Sequence, residues 1–212
     1  MSGDTTRQRL LDGALVALRE HGVAGVSART IAAAAGVNQA LVFYHFGTVD
    51  ELLGAACESA TAARVASYTA QFERVRSLRE LLDVGKRLHE QERGIGHVAV
   101  LAQMLAAAQS GGRLAEPTAR ALRLWIDPIE TTLARLLASS PIAELADVPG
   151  LARAVAAAFV GLELYEGVDA DGAQRALSAL EQLAVLLEVV EDLGPVARRL
   201  LRAKLRQDPA RR

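Results

Sequence analysis

The stretch from Ser27 to Phe46, SARTIAAAAGVNQALVFYHF, constrains the fold more than any other part of the chain, because it reads as two short helices joined by a tight turn. Ser27 is placed to cap the first helix, and Ile31, Ala32 and Ala35 recur behind it at helical spacing. Gly36 follows at once. With no Cβ it can take the left-handed conformation that ends one helix and turns the chain into the next. Asn38 can cap the second helix, with Val37 and Val42 facing inward. That leaves Asn38, Gln39, Ala40, Leu41, Phe43 and Tyr44 on or near the outer side, an odd face to present to water.

Such a pair, when it binds DNA, lays the start of its second helix in the major groove. Amide side chains there pair with adenine and apolar ones meet the thymine methyl, which suits Asn38 and Gln39 to the first role and Ala40 and Leu41 to the second. Tyr44 and His45, at the far end, can reach phosphate oxygens and set register without reading sequence. Arg29 can reach a base edge or a phosphate. Many helical bundles also contain a glycine between two short amphipathic helices with no DNA nearby, so the pattern alone leaves both readings open.

The run TIAAAAGVNQALVFYHFGTVDELL resembles the signature of the tetracycline-repressor (TetR) family of transcriptional regulators: IAxxAGV, an aromatic pair before His-Phe, then an acidic dipeptide and Leu-Leu. The similarity spans roughly residues 6–53. It implies an N-terminal three-helix, helix-turn-helix DNA-binding domain, residues 1–48, with its recognition helix at about 38–44. Residues 49–212 would form a larger helical domain that dimerises and binds a small-molecule effector. Carried across by position, Ser27, Arg29, Gln39, Ala40, Leu41, Phe43, Tyr44 and His45 fall where family members touch DNA. Val49 is a departure. Family members commonly carry a phosphate-binding Lys there, and a Val cannot make that contact.

The remainder of the chain fits an all-α fold. Of its 212 residues 51% are hydrophobic but only 4% aromatic, Ala and Leu abound, and no alternating runs suggest a sheet. Helix one is expected over Thr6–Glu20, ending at His21-Gly22. Capping boxes at Thr48–Glu51 and Ser77–Glu80 open the fourth and fifth helices, the fourth running to near Phe72 as a rod of roughly 35 Å at about 1.5 Å per residue. The sixth covers His97–Gln109 and the seventh starts near Pro117, with a kink or restart at Asp127-Pro128. Pro141 and Pro149 bracket a loop. A short last helix after Gly194-Pro195 carries Arg198, Arg199, Arg202, Lys204 and Arg206, read as a solvated basic face.

The segments Leu151–Tyr165 and Ala173–Leu193, the latter behind Asp171-Gly172-Ala173-Gln174, are apolar around nearly the whole circumference, so both need cover on two sides. Two such helices from each of two subunits make an intermolecular four-helix bundle, which places a homodimer interface there. A fully interior pair in a monomer is the other arrangement. The effector pocket that the resemblance implies has candidate lining in His89, His97, Gln103, Met104, Trp125, Phe159, Glu163 and Tyr165, a sparse polar and aromatic set among aliphatic residues.

A net charge of −1 argues against a non-specific nucleic-acid coat, whose binding rests on many Lys and Arg. Cys57 is the one cysteine, so no internal disulfide forms; the polar N-terminus lacks a signal-peptide layout, and apolar runs such as Ala154–Leu162 fall short of the about 20 residues of a membrane span. The expectation is a cytoplasmic protein without a membrane segment. No Gly-rich phosphate loop, GxSxG elbow, HExxH or paired-cysteine spacing is present, so neither an enzyme, a cofactor nor a metal site is expected. The partners expected are double-stranded DNA carrying a palindromic operator, a small-molecule effector and a second copy of the chain. The alternative is a helical dimeric module that binds a small molecule or a protein and not DNA.

Overall fold

The computed structural model describes residues 3–92, 96–109, 112–138, 140, 143, 146–191, 194 and 196. Among them lie nine α-helices and no strand: α1 (Gly3–Gly25), α2 (Ala28–Ala35), α3 (Ala40–Phe46), α4 (Val49–Arg74), α5 (Leu78–Glu92), α6 (His97–Ala108), α7 (Ala115–Leu137), α8 (Val148–Glu166) and α9 (Ala170–Glu191). The fold is all-α, as the composition requires. Two compact units divide the contacts, Met1–Tyr68 with Gln91–Trp125 and Thr69–Glu90 with Ile126–Arg212.

The first unit is built on α1. Leu10, Leu11, Ala14, Ala17 and Leu18 are buried along one face of it, and α2 packs there. The approach is close: a Cβ on Gly13 would stand 2.8 Å from both the Cβ and the backbone nitrogen of Ala35. Helical backbone is interrupted at Gly22 (φ 64°, ψ 170°), where the sequence places the stop, although α1 resumes to Gly25. On α4, Leu52, Leu53, Ala56 and Cys57 are buried, and a Cβ on Gly54 would run into the Pro117 ring of α7. Burial pushes the Cys57 thiol up to about 11, against the opposing hydrogen bond with Thr61, so it stays protonated at neutral pH. Tyr68, buried, donates to Gln91 Oε1 and lies against the Trp125 ring at 6.2 Å.

In the second unit, the last turn of α4 is held by α7: the Arg135 guanidinium donates to the carbonyls of Phe72 (2.9 Å) and Val75, supplying partners that a helix end lacks. Ser77 caps α5 by accepting from the Glu80 amide at 3.1 Å. The return bond of that box differs from expectation, since Glu80 Oε2 accepts from the Arg76 amide (2.6 Å), one residue earlier. Lys86 of α5 pairs with Glu181 of α9.

Three boundaries depart from the sequence reading. α7 runs through Pro128 without a restart, because a missing amide removes one bond while Ile126, Ile129, Thr132, Leu133 and Leu137 keep the face buried. Pro149 does not bound a loop but sits in the first turn of α8, where its absent amide is no loss, behind the Asp147 cap on Gly150 (3.0 Å). α9 begins at Ala170, three residues before the expected Ala173. Its cap is Asp169, whose carboxylate accepts from the Gly172 amide (2.8 Å) and the Tyr165 hydroxyl (2.9 Å); Asp171 lies inside the first turn. Those bonds, the Gly172 amide first, hold the Asp169 carboxyl below its ordinary value, so the cap is complete above the usual carboxyl range and is lost as pH falls through the depressed value. The expected end of this helix at Leu193, Pro141 and the basic segment from Arg198 to Arg206 lie outside the described residues.

α8 and α9 pack on each other, and Ala152 and Ala156 of α8 and Ala173, Leu177 and Ala184 of α9 are buried. Their outer sides stay uncovered: Leu164 is 53% exposed, Leu183 55% and Leu186 61%, with Leu151, Val155, Leu180 and Val185 exposed beside them. By length and composition α8 is also long and apolar enough to cross a membrane, at a mean hydropathy of 1.3, with 17% of that window buried. Its polar residues are engaged with protein: Arg153 reaches Glu130 at 3.7 Å, and Glu163 and Glu166 both meet the buried His89.

Candidate nucleic-acid interface

Ser27 closes a reciprocal box at the start of α2. Its hydroxyl accepts from the Thr30 amide at 3.2 Å, and Thr30 Oγ1 accepts from the Ser27 amide at 2.8 Å. Ile31, Ala32 and Ala35 are all buried, and Gly36 is left-handed (φ 61°, ψ 41°), its amide bonded back into the helix. One contact that the sequence did not reveal fixes the turn from outside: Arg9 of α1 donates to the Gly36 carbonyl at 2.7 Å. Ser27→Ala removes the box and is expected to destabilise the fold by about 1 kcal/mol, read as a lowered midpoint in thermal unfolding.

Asn38 Oδ1 accepts from the Ala40 amide at 2.8 Å, so Asn38 caps α3 as expected. Its carbonyl oxygen is therefore committed, and Gln39, whose side chain makes no capping bond, is the better amide for a bidentate contact with a base. Within α3 Val42 alone is buried. Leu41 and His45 are half-buried; Ser27, Arg29, Asn38, Gln39, Ala40, Phe43 and Tyr44 are exposed. Tyr44 is 81% exposed and Phe43 50%, a large aromatic surface on two turns of helix. The Tyr44 ring stands edge-on to His45 with centroids 5.0 Å apart, and the Arg7 guanidinium covers Phe46 at 5.0 Å. Thr48 Oγ1 accepts from the Glu51 amide (3.1 Å) and starts α4, with Val49 half-buried at its first position.

The residues expected around an effector fall into two sets. His89, Phe159 and Glu163 come together in the second unit, where the His89 and Phe159 rings meet edge-on at 6.4 Å and His89 Nδ1 contacts the Glu163 carboxylate. Gln103, Met104 and Trp125 belong to the first unit. Met104 is fully buried there, Trp125 packs on Tyr68, and Gln103 faces α1 near Gly22 with its buried Oε1 lacking a hydrogen-bond partner. The side chain of His97 lies outside the described residues. Tyr165 is half exposed and turned to Asp169. A groove of about 350 Å³ between α1 and α4, lined by Leu11, Leu15, Ala56, Ala60 and Arg64 among others, contains none of these expected residues. Glu166 was not foreseen, and its place beside His89 depends on a contact between helices far apart in the chain.

Residues 10–56 match the model of the family described as bacterial regulatory proteins, tetR family. No curated protein matches the chain. Among solved structures, a Rhodococcus sp. protein described as a TetR-family transcriptional regulator is 24% identical, with 89% of this chain and 100% of that one covered at a TM-score of 0.71. The transcriptional regulator FadR from Bacillus subtilis, solved in complex with stearoyl-CoA, is 17% identical over 87% of this chain and 97% of its own, with a TM-score of 0.67. SCO7518 from Streptomyces coelicolor A3(2) is 24% identical over 84% and 98%, with a TM-score of 0.65. Residues 10–56 thus resemble the helix-turn-helix domain of the tetR family of bacterial regulatory proteins, and the chain shares its fold with these solved structures.

Proposed function

We propose that this chain is a cytoplasmic homodimeric repressor that binds a palindromic operator through α3 and leaves it when a small-molecule effector binds. The observation that carries the reading is the outer face of α3, where Phe43 and Tyr44 stand exposed beside Gln39 and Ala40 while Val42 alone is buried. Gln39 reads bases, Ala40 and Leu41 meet thymine methyls, and Ser27, Arg29, Tyr44 and His45 fix the backbone register. Residues 1–48 serve as the DNA-binding domain and 49–212 as the effector and dimerisation domain. Few cations face the duplex and Val49 contributes none, so affinity depends only modestly on salt.

The uncovered sides of α8 and α9 form the dimer interface, and the effector binds in the second domain, where His89, Phe159 and Glu163 offer polar and aromatic groups. Release follows from differential affinity: the effector favours a dimer whose two recognition helices no longer match half-sites about 34–36 Å apart. Val49 favours one rival, a dimeric helical binding module without DNA. Operator binding separates the two, through selection of sequences from a random duplex pool with purified protein. An enriched palindrome supports the repressor, and no enrichment at any salt supports the module.

A further inference from the structure

The strongest cluster of metal-ligating side chains in the described residues lies between α5 and α8 and includes His89 and Glu163, named above beside the effector. His89 of α5 is 5% exposed, and each of its ring nitrogens meets a carboxylate of α8: Nδ1 that of Glu163 and Nε2 that of Glu166, the latter at 3.1 Å. Both carboxylates are themselves mostly buried, at 12% and 16% side-chain exposure. Glu163 and Glu166 stand three residues apart on one helix and so share a face. One donor atom from each of the three residues lies within 4.8 Å of the other two.

We propose that His89 and Glu166 bind a divalent transition-metal cation of the zinc class, with Glu163 as the outer partner that holds the imidazole in place. An imidazole coordinates through one nitrogen and keeps its N–H on the other. A metal-binding histidine almost always donates that second N–H to a carboxylate or carbonyl, which fixes the tautomer and the ring plane. Glu163 at Nδ1 fills this role and leaves Nε2 for the ion. The 3.1 Å between Nε2 and Glu166 Oε2 also fits. Two neighbouring ligands, each about 2.0–2.1 Å from one ion, lie about 2.9 Å apart at a right angle and about 3.4 Å apart at a tetrahedral one. Water completes the coordination. The nitrogen donor favours zinc, cobalt or nickel over magnesium or calcium, which take oxygen ligands. No short motif announces such a site, because the ligands sit 74 or more residues apart in the chain and converge only when α5 packs on α8. Bound there, the ion ties α5 to α8. The inference rests on this geometry and not on DNA binding, so each can fail without the other.

The test uses the full chain, stripped with a chelator and titrated with Co(II) while its visible ligand-field bands are followed, then with Zn(II) in competition against a chromophoric chelator. One equivalent per chain is expected, not displaced by excess Mg(II). Glu166→Gln and His89→Asn should abolish stoichiometric binding, and Glu163→Gln should weaken it about 10–100-fold. Each variant is checked for native helix content by circular dichroism. Should His89→Asn fail to fold, Glu166→Gln decides, because it is nearly isosteric and removes a ligand at the more exposed edge of the cluster. Zn(II) should also raise the melting temperature of the parent chain and leave that of Glu166→Gln unchanged. Absence of stoichiometric binding, or equal affinity in Glu166→Gln, would overturn the proposal and leave the cluster as a histidine ring held between two carboxylates.

Discussion

Gly13→Val is expected to cost about 3 kcal/mol of stability and to abolish operator binding. At Gly13 α1 and α2 approach closely, and even a bare Cβ there would press on the backbone nitrogen and Cα of Ala35 at 2.8 and 3.0 Å. Backbone cannot swing aside as a side chain can, so the helices must separate, which overpacking experience puts at about 1–3 kcal/mol or more. The branched side chain adds to this. Separation also pulls on Arg9, which lies on the same helix and holds the Gly36 turn. The measurement is thermal or urea unfolding beside a DNA-binding assay. An unchanged midpoint in the Gly13→Val chain would show that α1 and α2 do not pack as described.

Leu183→Glu combined with Leu186→Glu is expected to turn a dimer into a monomer and to lower operator affinity by more than a hundredfold. The two leucines project from one side of α9 and are more than half exposed, beside Leu180 and near the exposed residues of α8. Exposed leucines at this density are the surface that the proposed dimer covers. Four carboxylates brought into the centre of a self-complementary interface cost several kcal/mol, at about 1.4 kcal/mol per tenfold in affinity. Because the substitutions lie on an already exposed face, each monomer should keep its helix content. Sedimentation or light scattering checks the mass. A parent chain that is monomeric at micromolar concentration would remove this interface from the account.

The helix-turn-helix was legible because its signals are local. Ser27, Gly36, Asn38 and Thr48 act on amides or dihedral angles within a few residues, and each performs the expected task. The burial of Ile31, Ala32, Ala35 and Val42 follows from spacing alone. What the sequence hid is tertiary. Nothing near Gly13 announces that Ala35 will sit against it, and nothing near Arg9 that Gly36 will accept from it. Helix boundaries went astray where two candidate caps competed: Asp169 and Asp171 both stand at the start of α9, and Asp169 caps it, its carboxylate accepting from the Gly172 amide and the Tyr165 hydroxyl. Pro128 does not restart α7 for a related reason, since the burial of one helix face outweighed a local break. The expected pocket residues scattered because their selection rested on chemical type. Gln103, Met104 and Trp125 joined the core around α1, α4 and α6, while His89, Phe159 and Glu163 met between α5 and α8.

Selection from a random duplex pool, run with the parent chain and with Gln39→Ala and Tyr44→Phe, tests the central claim most directly. The account predicts an enriched palindrome whose half-site loses preference at particular base pairs in Gln39→Ala, at about 1–3 kcal/mol per lost base contact. Tyr44→Phe should weaken binding evenly across sequences, since a phosphate contact carries no sequence information. Failure of the parent chain to enrich any sequence, or the same base preferences with Gln39 removed, would contradict the assignment of α3 as the element that reads DNA.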